Sequence, residues 1–410
     1  MGISRKPAGV RVATLVSVAA VAVLTGACGS SVSGSGKAGE IDIRTLDIGS
    51  YSTDPREVST VVSPELGKLL EGARMADAVA LVSDIDPIFE YASQEIVKDP
   101  QEAADALSLI ETPVIKPVLE KYGMIVGFGV SGLDGPLDQF ELGRSSNFVM
   151  VVNRFPSDDV ARQAAVEIDA ADFAVSPDNA GVPIPRHPDA KAHWRPGHQS
   201  IGATQAHGPF VISIFTVTPT PNLEELSERV AKILDTEIPL LDKFTPTPVD
   251  KLTTLPVDVD NLESKVLVTP GVPVEVGDFA TFGAHGGLHF QPDKHYKDKL
   301  LQNAGLERLV TDKGFPALFK VRDEKAATDL VPLWSAALKD SADGKDLQAK
   351  TGIPGALCIE ANVSATSDSA AETDYICTFA YQNFMVMVRS DDAGDVARRA
   401  AAQYALLAKS

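Results

Sequence analysis

Residues 147–165 read NFVMVVNRFPSDDVARQAA, and residues 383–401 read NFMVMVRSDDAGDVARRAA. Aligned without a gap they share nine of nineteen identities. Each is an unbroken apolar run, then a polar turn, then an alanine-rich segment with helical spacing. An apolar residue at every position suits a strand covered by other structure, and the segment after it reads as a helix that opens at a capping side chain. Two weaker relatives exist: FVISIFTV from Phe210, followed by a helix from about Asn222, and ALFKV from Ala317, followed by a helix from about Asp323. The side chains of Ser157, Asn222, Asp323 and Asp391 are each able to accept a hydrogen bond from the first free amides of the helix they precede.

Working outward, strands near 124–131 and 147–154 precede one helix, and strands near 191–195, 199–205 and 209–217 precede a helix ending at Pro239. In the second half, strands near 306–311 and 316–321 precede a helix, and strands near 356–363, 374–380 and 383–389 precede the last one. The order ββα-βββα recurs. The expected fold class is α+β, with two similar domains, each an antiparallel sheet covered on one face by helices. The proline-rich stretch 246–276 has no helical stripe and is read as a linker between an N-terminal domain, 41–245, and a C-terminal domain, 277–410. Residues 64–122 look mainly helical.

The chain opens with Arg5, Lys6 and Arg11, followed by an apolar run from Val12 to Leu24 that is too short to span a bilayer, which takes about 20 residues. Residues 1–27 read as a signal peptide. Thr25, Gly26 and Ala27 are small residues before Cys28, as in a lipobox, although Thr25 stands where leucine is commonest. Cys28 is the expected lipid attachment site, carrying a thioether-linked diacylglycerol, with palmitate as a further chain. One acyl chain gives only marginal membrane binding, whereas two or more anchor durably. Residues 28–40, rich in Gly and Ser, form a tether with an expected end-to-end distance of about 19 Å. The protein is therefore expected at the cell membrane, on its extracytoplasmic face, held to the outer leaflet by its lipid.

Loss of residues 1–27 would remove three positive charges and no acids, taking the formal net charge from −19 to −22. Phosphate backbones are bound by clustered Lys and Arg, so nucleic acid is not an expected partner. Besides Cys28, the chain has only Cys358 and Cys377. They lie in two strand-like runs whose midpoint falls at residues 367 and 368, within a polar loop, so hairpin pairing sets them opposite each other. A disulfide is the expected outcome in an oxidising compartment.

Motifs for chemistry are sparse. Gly127-Phe128-Gly129-Val130-Ser131-Gly132 matches G-x-G-x-x-G, but the turn Leu133-Asp134-Gly135-Pro136 stands where a dinucleotide site needs a helix. The glycines read instead as a bulged or tightly packed strand. Histidines fall in two patches: His187, His193, His198 and His207, then His285, His289 and His295. Pro196-Gly197 suits a type II turn that brings His193, Arg195 and His198 onto one face, a possible ligand or anion patch. His285 and His289, taken as one strand face, would lie about 13 Å apart, too far to share a metal ion. His285-Gly286-Gly287 is similar to an esterase oxyanion loop, yet no G-x-S-x-G, Walker A or HExxH sequence accompanies it. Catalytic residues, a metal site and a cofactor are accordingly not expected. The helix from Leu223 presents Leu226, Val230, Ile233 and Leu234 as a core-facing stripe.

Together, the lipobox, LDIGSYSTDPR at 46–56, GLHFQ at 287–291 and AGLERLVTDKGFPALFKVRDEKAATDL at 304–330 resemble an uncharacterised family of actinobacterial, mycobacterial and nocardial, two-domain cell-envelope lipoproteins. The resemblance implies an envelope location and supplies no catalytic residue. The expected function is a non-enzymatic binding or interaction protein, taking an apolar envelope ligand or an envelope protein between its domains or under its helices. The alternative is an envelope hydrolase, with or without a metal, that uses the histidine patches.

Overall fold

A computed structural model describes residues 41–107, 114–136, 140–141, 143–274, 277–290, 294–312, 316–363 and 372–410; the stretches expected to be a signal peptide and a tether, and Cys28 between them, lie outside these residues. Each half carries a seven-stranded antiparallel sheet. The first contains β1 (Tyr91–Val97), β2 (Val126–Leu133), β3 (Asn147–Arg154), β4 (Ala180–Gly181), β5 (Lys191–Trp194), β6 (Ser200–His207) and β7 (Phe210–Val217), in the order β1-β2-β3-β7-β6-β5-β4. The second contains β8 (Ala280–Phe282), β9 (Leu306–Thr311), β10 (Ala317–Val321), β11 (Lys345–Leu347), β12 (Leu357–Val363), β13 (Glu372–Tyr381) and β14 (Phe384–Ser390), in the order β8-β9-β10-β14-β13-β12-β11. Adding seven to each strand number of the first order yields the second. The repeat is thus complete, and it includes the edge strands β1, β4, β8 and β11, which the sequence patterns do not reveal.

The two echoed sequences occupy different places in this repeat. Strand β3 corresponds to β10, and β14 corresponds to β7; β3 pairs with β7 as β10 pairs with β14. What the echoed strands share is a central position in the sheet. Every residue of β3 is buried, which explains why its sequence does not alternate.

Helices cover both faces of each sheet, not one. Val149 and Val151 of β3 pack with Leu119 of α4 (Lys116–Lys121) and Ala161, Ala164 and Ile168 of α5 (Asp158–Phe173). Their neighbours Phe148, Met150 and Val152 face the opposite way, into the core that holds α1 (Pro64–Met75), α2 (Val82–Ile85) and α6 (Leu223–Leu241). That core continues into the second half, where it holds Leu301 of α7 (Lys294–Ala304), Leu330 and Trp334 of α8 (Glu324–Ser341), and Phe319, Met385 and Met387. On the far side of the second sheet, Leu318, Val386 and Val388 pack with Val396, Ala400 and Tyr404 of α9 (Ala393–Lys409). The stripe Leu226, Val230, Ile233 and Leu234 is fully buried, and α6 continues two residues beyond Pro239.

Ser157, Asn222 and Asp323 cap their helices. The last helix is capped by Asp392 rather than Asp391: Asp392 has extended backbone and accepts from Asp395 N at 2.6 Å. Residues 64–122 hold α1, α2, α3 (Pro100–Leu107) and α4, but also β1, a half-polar edge strand whose pattern is easily missed. The proline-rich stretch folds into 3-10 turns that bury Leu252, Leu262, Val266 and Leu267. Residues 41–56, expected with the N-terminal sheet, lie instead against the C-terminal half. Tyr51 Oη donates to Asp395 Oδ1 at 2.9 Å, Lys409 pairs with Asp54 at 3.0 Å, and the Arg56 guanidinium stacks over Phe279 at 5.0 Å.

Cys358 and Cys377 are direct partners in the β12–β13 ladder and form a disulfide with Cα atoms 4.1 Å apart. Closing a loop of this size stabilises by roughly 3 kcal/mol on the chain-entropy account. Replacing both cysteines by alanine is expected to lower unfolding free energy by about that amount. Urea titration under oxidising conditions checks this, and an unchanged midpoint would show that the crosslink contributes nothing.

Candidate functional site

Helix α1 builds the floor of a cavity. Ser63 caps it by accepting from Leu66 N at 3.1 Å, and Pro64 occupies its first turn, where a missing amide is harmless. Helical spacing places Leu66, Leu69, Leu70 and Ala73 along one side, and all four line a cavity of about 630 Å³. Gly67 and Gly72 allow close packing elsewhere: a Cβ at Gly67 would come within 2.7 Å of the Leu252 carbonyl, and one at Gly72 within 2.5 Å of Ile96. The walls come from both halves: Gln94 and Ile96 of β1, Ala280 and Phe282 of β8, Thr311 of β9, Trp334 and Leu338 of α8, and Met387 of β14. Trp334 is held in place by its indole N–H, which donates to Met387 Sδ at 3.4 Å, and by Phe319, whose ring centre is 5.2 Å away.

The polar lining consists of Gln94, Glu95, Lys98, Glu102, Asp278 and Thr311. Lys98 pairs with Glu102 at 3.6 Å, so the charged part of this lining is net acidic. Size and lining are those of a small-molecule site: about 300–1,000 Å³, mostly apolar, with a few polar groups to set orientation. A cavity between sheets cannot be read from sequence, because its lining residues are scattered from Leu66 to Met387. The one legible hint was the leucine stripe of α1.

The joint between the halves explains several motifs. His289 ends a 3-10 turn (Gly286–His289) and His285 immediately precedes it, so neither is on a strand, and their ring centres are 5.7 Å apart rather than about 13 Å. Both turn towards the chain just after α1: His285 Nε2 donates to the Val79 carbonyl at 2.8 Å, and His289 Nε2 lies 3.1 Å from the Ala76 and Val79 carbonyls. A Cβ on Gly283 would overlap the Asp77 carboxylate. Gly286 N donates to Asp77 Oδ1 at 2.7 Å and Gly287 N to the Gly283 carbonyl at 2.9 Å. The amides of the oxyanion-like loop are therefore engaged in packing. The G-x-G-x-x-G glycines lie within β2, and Cβ atoms at Gly127 and Gly132 would come within 2.6 Å of Asn153 Oδ1 and the Phe148 ring.

The predicted turn at Arg195–His198 forms, with Gly197 at φ +84° and His198 N donating to the Arg195 carbonyl at 2.9 Å. His193, Arg195 and His198 line one recess of about 130 Å³. Sequence reasoning missed the two carboxylates that α5 brings there: His193 lies 3.5 Å from Asp172 and 3.7 Å from Asp169. Their i, i+3 spacing on a helix face was the available signal. With Asp172 lining the same recess, the patch is mixed in charge. Among the other histidines, His187 contacts Asp235 at 2.8 Å and His207 contacts Asp242 at 2.7 Å; the His295 side chain lies outside the described residues. No group of three or more His, Cys, Asp or Glu among the described residues is placed to hold a metal, and no described helix is long and apolar enough to cross a membrane.

Two sequence models of one family match this chain: the N-terminal domain of unknown function DUF7373 over residues 58–257, and its C-terminal counterpart over residues 262–410. No curated protein matches. Among solved structures, the extracellular domain of PknH from Mycobacterium tuberculosis is similar over 40% of this chain and 94% of that one, at 13% identity and a TM-score of 0.28.

Proposed function

As this chain belongs to the two-domain DUF7373 family, whose activity is unassigned, we propose that it is a non-enzymatic binding protein of an actinobacterial cell envelope. In this reading a diacylated Cys28 holds it at the extracytoplasmic face of the cytoplasmic membrane, and the body beyond the tether takes an apolar envelope ligand. The observation that carries the reading is the 630 Å³ cavity between the two sheets, walled by Leu66, Leu70, Phe279, Phe282 and Trp334. Burying an acyl chain there would remove apolar surface of both partners from water, at roughly 25 cal/mol per Å². An anchored protein on a short tether would meet such chains at the membrane surface.

Native mass spectrometry of residues 41–410, which form one compact unit, tests this after purification from an actinobacterial host. An additional apolar mass is expected on the wild-type protein. Leu70→Trp fills the cavity from a partly exposed position and is expected to reduce occupancy about tenfold, with thermal unfolding as the check that the fold survives. A bare wild-type mass, together with no uptake of an added alkyl glucoside, would overturn the reading and favour a protein partner.

A further inference from the structure

Thr311 is the last residue of β9, paired with Ala280 of β8 on one side and Ala317 of β10 on the other. It lines the 630 Å³ cavity and is only 2% exposed, and its hydroxyl has no hydrogen-bond partner among the described residues. Such a group is costly: a buried hydroxyl without a partner forfeits the hydrogen bonds it made to water, which is why buried polar side chains are nearly always satisfied. Its companions on the same face of β9 and across the cavity are Leu309, Trp334 and Met387. Valine has almost the same shape and would fill this place without that cost.

We propose that Thr311 is a specificity-determining residue of the cavity, hydrogen-bonding an oxygen atom carried on the hydrocarbon chain of the ligand. The inference rests on the apolar-ligand reading above and deepens it: the ligand is an oxygenated chain, with a hydroxyl, keto or ester group along its length, not a plain alkane tail. A hydroxyl can donate to a carbonyl or ether oxygen and can also accept from an alcohol, so Thr311 serves any of these groups. Discrimination follows from the unpaired state. A plain chain leaves the hydroxyl as unsatisfied as before, whereas an oxygenated chain of the same length satisfies it. The acidic polar lining, with Glu95, Glu102 and Asp278 against Lys98, makes an uncharged head group the suitable choice for a probe.

The test uses hexadecyl glucoside and a series of its derivatives with one hydroxyl at successive chain positions, titrated into residues 41–410. At least one position is expected to bind about tenfold tighter than the unsubstituted parent. In Thr311→Val that gain disappears while the parent binds equally well or better, and Thr311→Ser restores it. Without ligand, Thr311→Val is expected to raise the thermal midpoint, because an unpaired hydroxyl has been removed. A series without any preferred position, or a preference that survives in Thr311→Val, would overturn the role of Thr311 and leave the apolar-ligand reading intact. Failure of the parent and every derivative to bind would overturn both.

Discussion

Glu71→Ala is expected to lower the unfolding free energy by about 3–5 kcal/mol, the cost of leaving a buried charge without its partner. Glu71 is fully buried on α1 and accepts four hydrogen bonds: from Arg154 Nη1 at 2.6 Å, Arg74 Nη1 at 2.5 Å, Thr247 N at 2.9 Å and Thr247 Oγ1 at 2.7 Å. Arg154, at the end of β3, is only 3% exposed, and its other terminal nitrogen donates to the Thr247 carbonyl. One carboxylate thus joins the floor of the cavity, a central strand and the start of the proline-rich stretch. Removing it leaves the Arg154 guanidinium in the interior facing one carbonyl. The double replacement Glu71→Leu with Arg154→Met removes both charges and is expected to recover most of the loss, since exchanging a buried pair for apolar groups is often neutral. Urea unfolding of the three proteins measures both effects. A single variant costing under about 1 kcal/mol would mean that water reaches Arg154 and that the clamp is not buried in solution.

Between about pH 5 and 8 the protein is expected to lose stability as pH rises, and Glu237 is the main cause. It lies on α6, fully buried, accepting from Ala80 N at 2.7 Å, with its second oxygen unpartnered among the described residues. Burial pushes its carboxyl up to about 8. The folded state therefore keeps a proton that the unfolded chain gives up near pH 4.5, the ordinary glutamate value. Below that value both states are protonated and there is no penalty; between it and about 8 the unfolded state is increasingly favoured; above 8 the full penalty applies, on the order of 5 kcal/mol. Glu263 acts in the same direction: burial pushes it up to about 7, despite the guanidinium of Arg56 at 3.7 Å. Glu237→Gln stays neutral, so its unfolding free energy should vary much less between pH 7 and 9 than that of the wild type. Equilibrium unfolding at four or five pH values checks this, and parallel curves for the two proteins would show that Glu237 is ionised in the folded state. The position is sensitive: Ala80 follows Val79, whose carbonyl receives His285 and His289 from the other half. Charging Glu237 would load the joint that also borders the cavity floor.

The central strands, the helices after them, three of the four caps, the Arg195–His198 turn and the opposition of Cys358 and Cys377 were all legible in the chain itself. Each depends on residues a few positions apart, or on two strands of one hairpin, so burial pattern and turn chemistry suffice to specify them. The recurrence of the ββα-βββα order was legible for the same reason. Its true register was not: the strongest echo matches β3 with β14 because both are central strands, and an apolar strand records how deeply it is buried rather than which neighbour it pairs with. Tertiary structure alone decided that both faces of each sheet are covered and that residues 41–56 pack on the C-terminal half. It also decided that His285 and His289 join the halves. The cavity, the Glu71 clamp and the unsatisfied hydroxyl of Thr311 belong to the same class. Each arises where side chains far apart in the chain are brought within a few ångströms, and no local propensity encodes that distance.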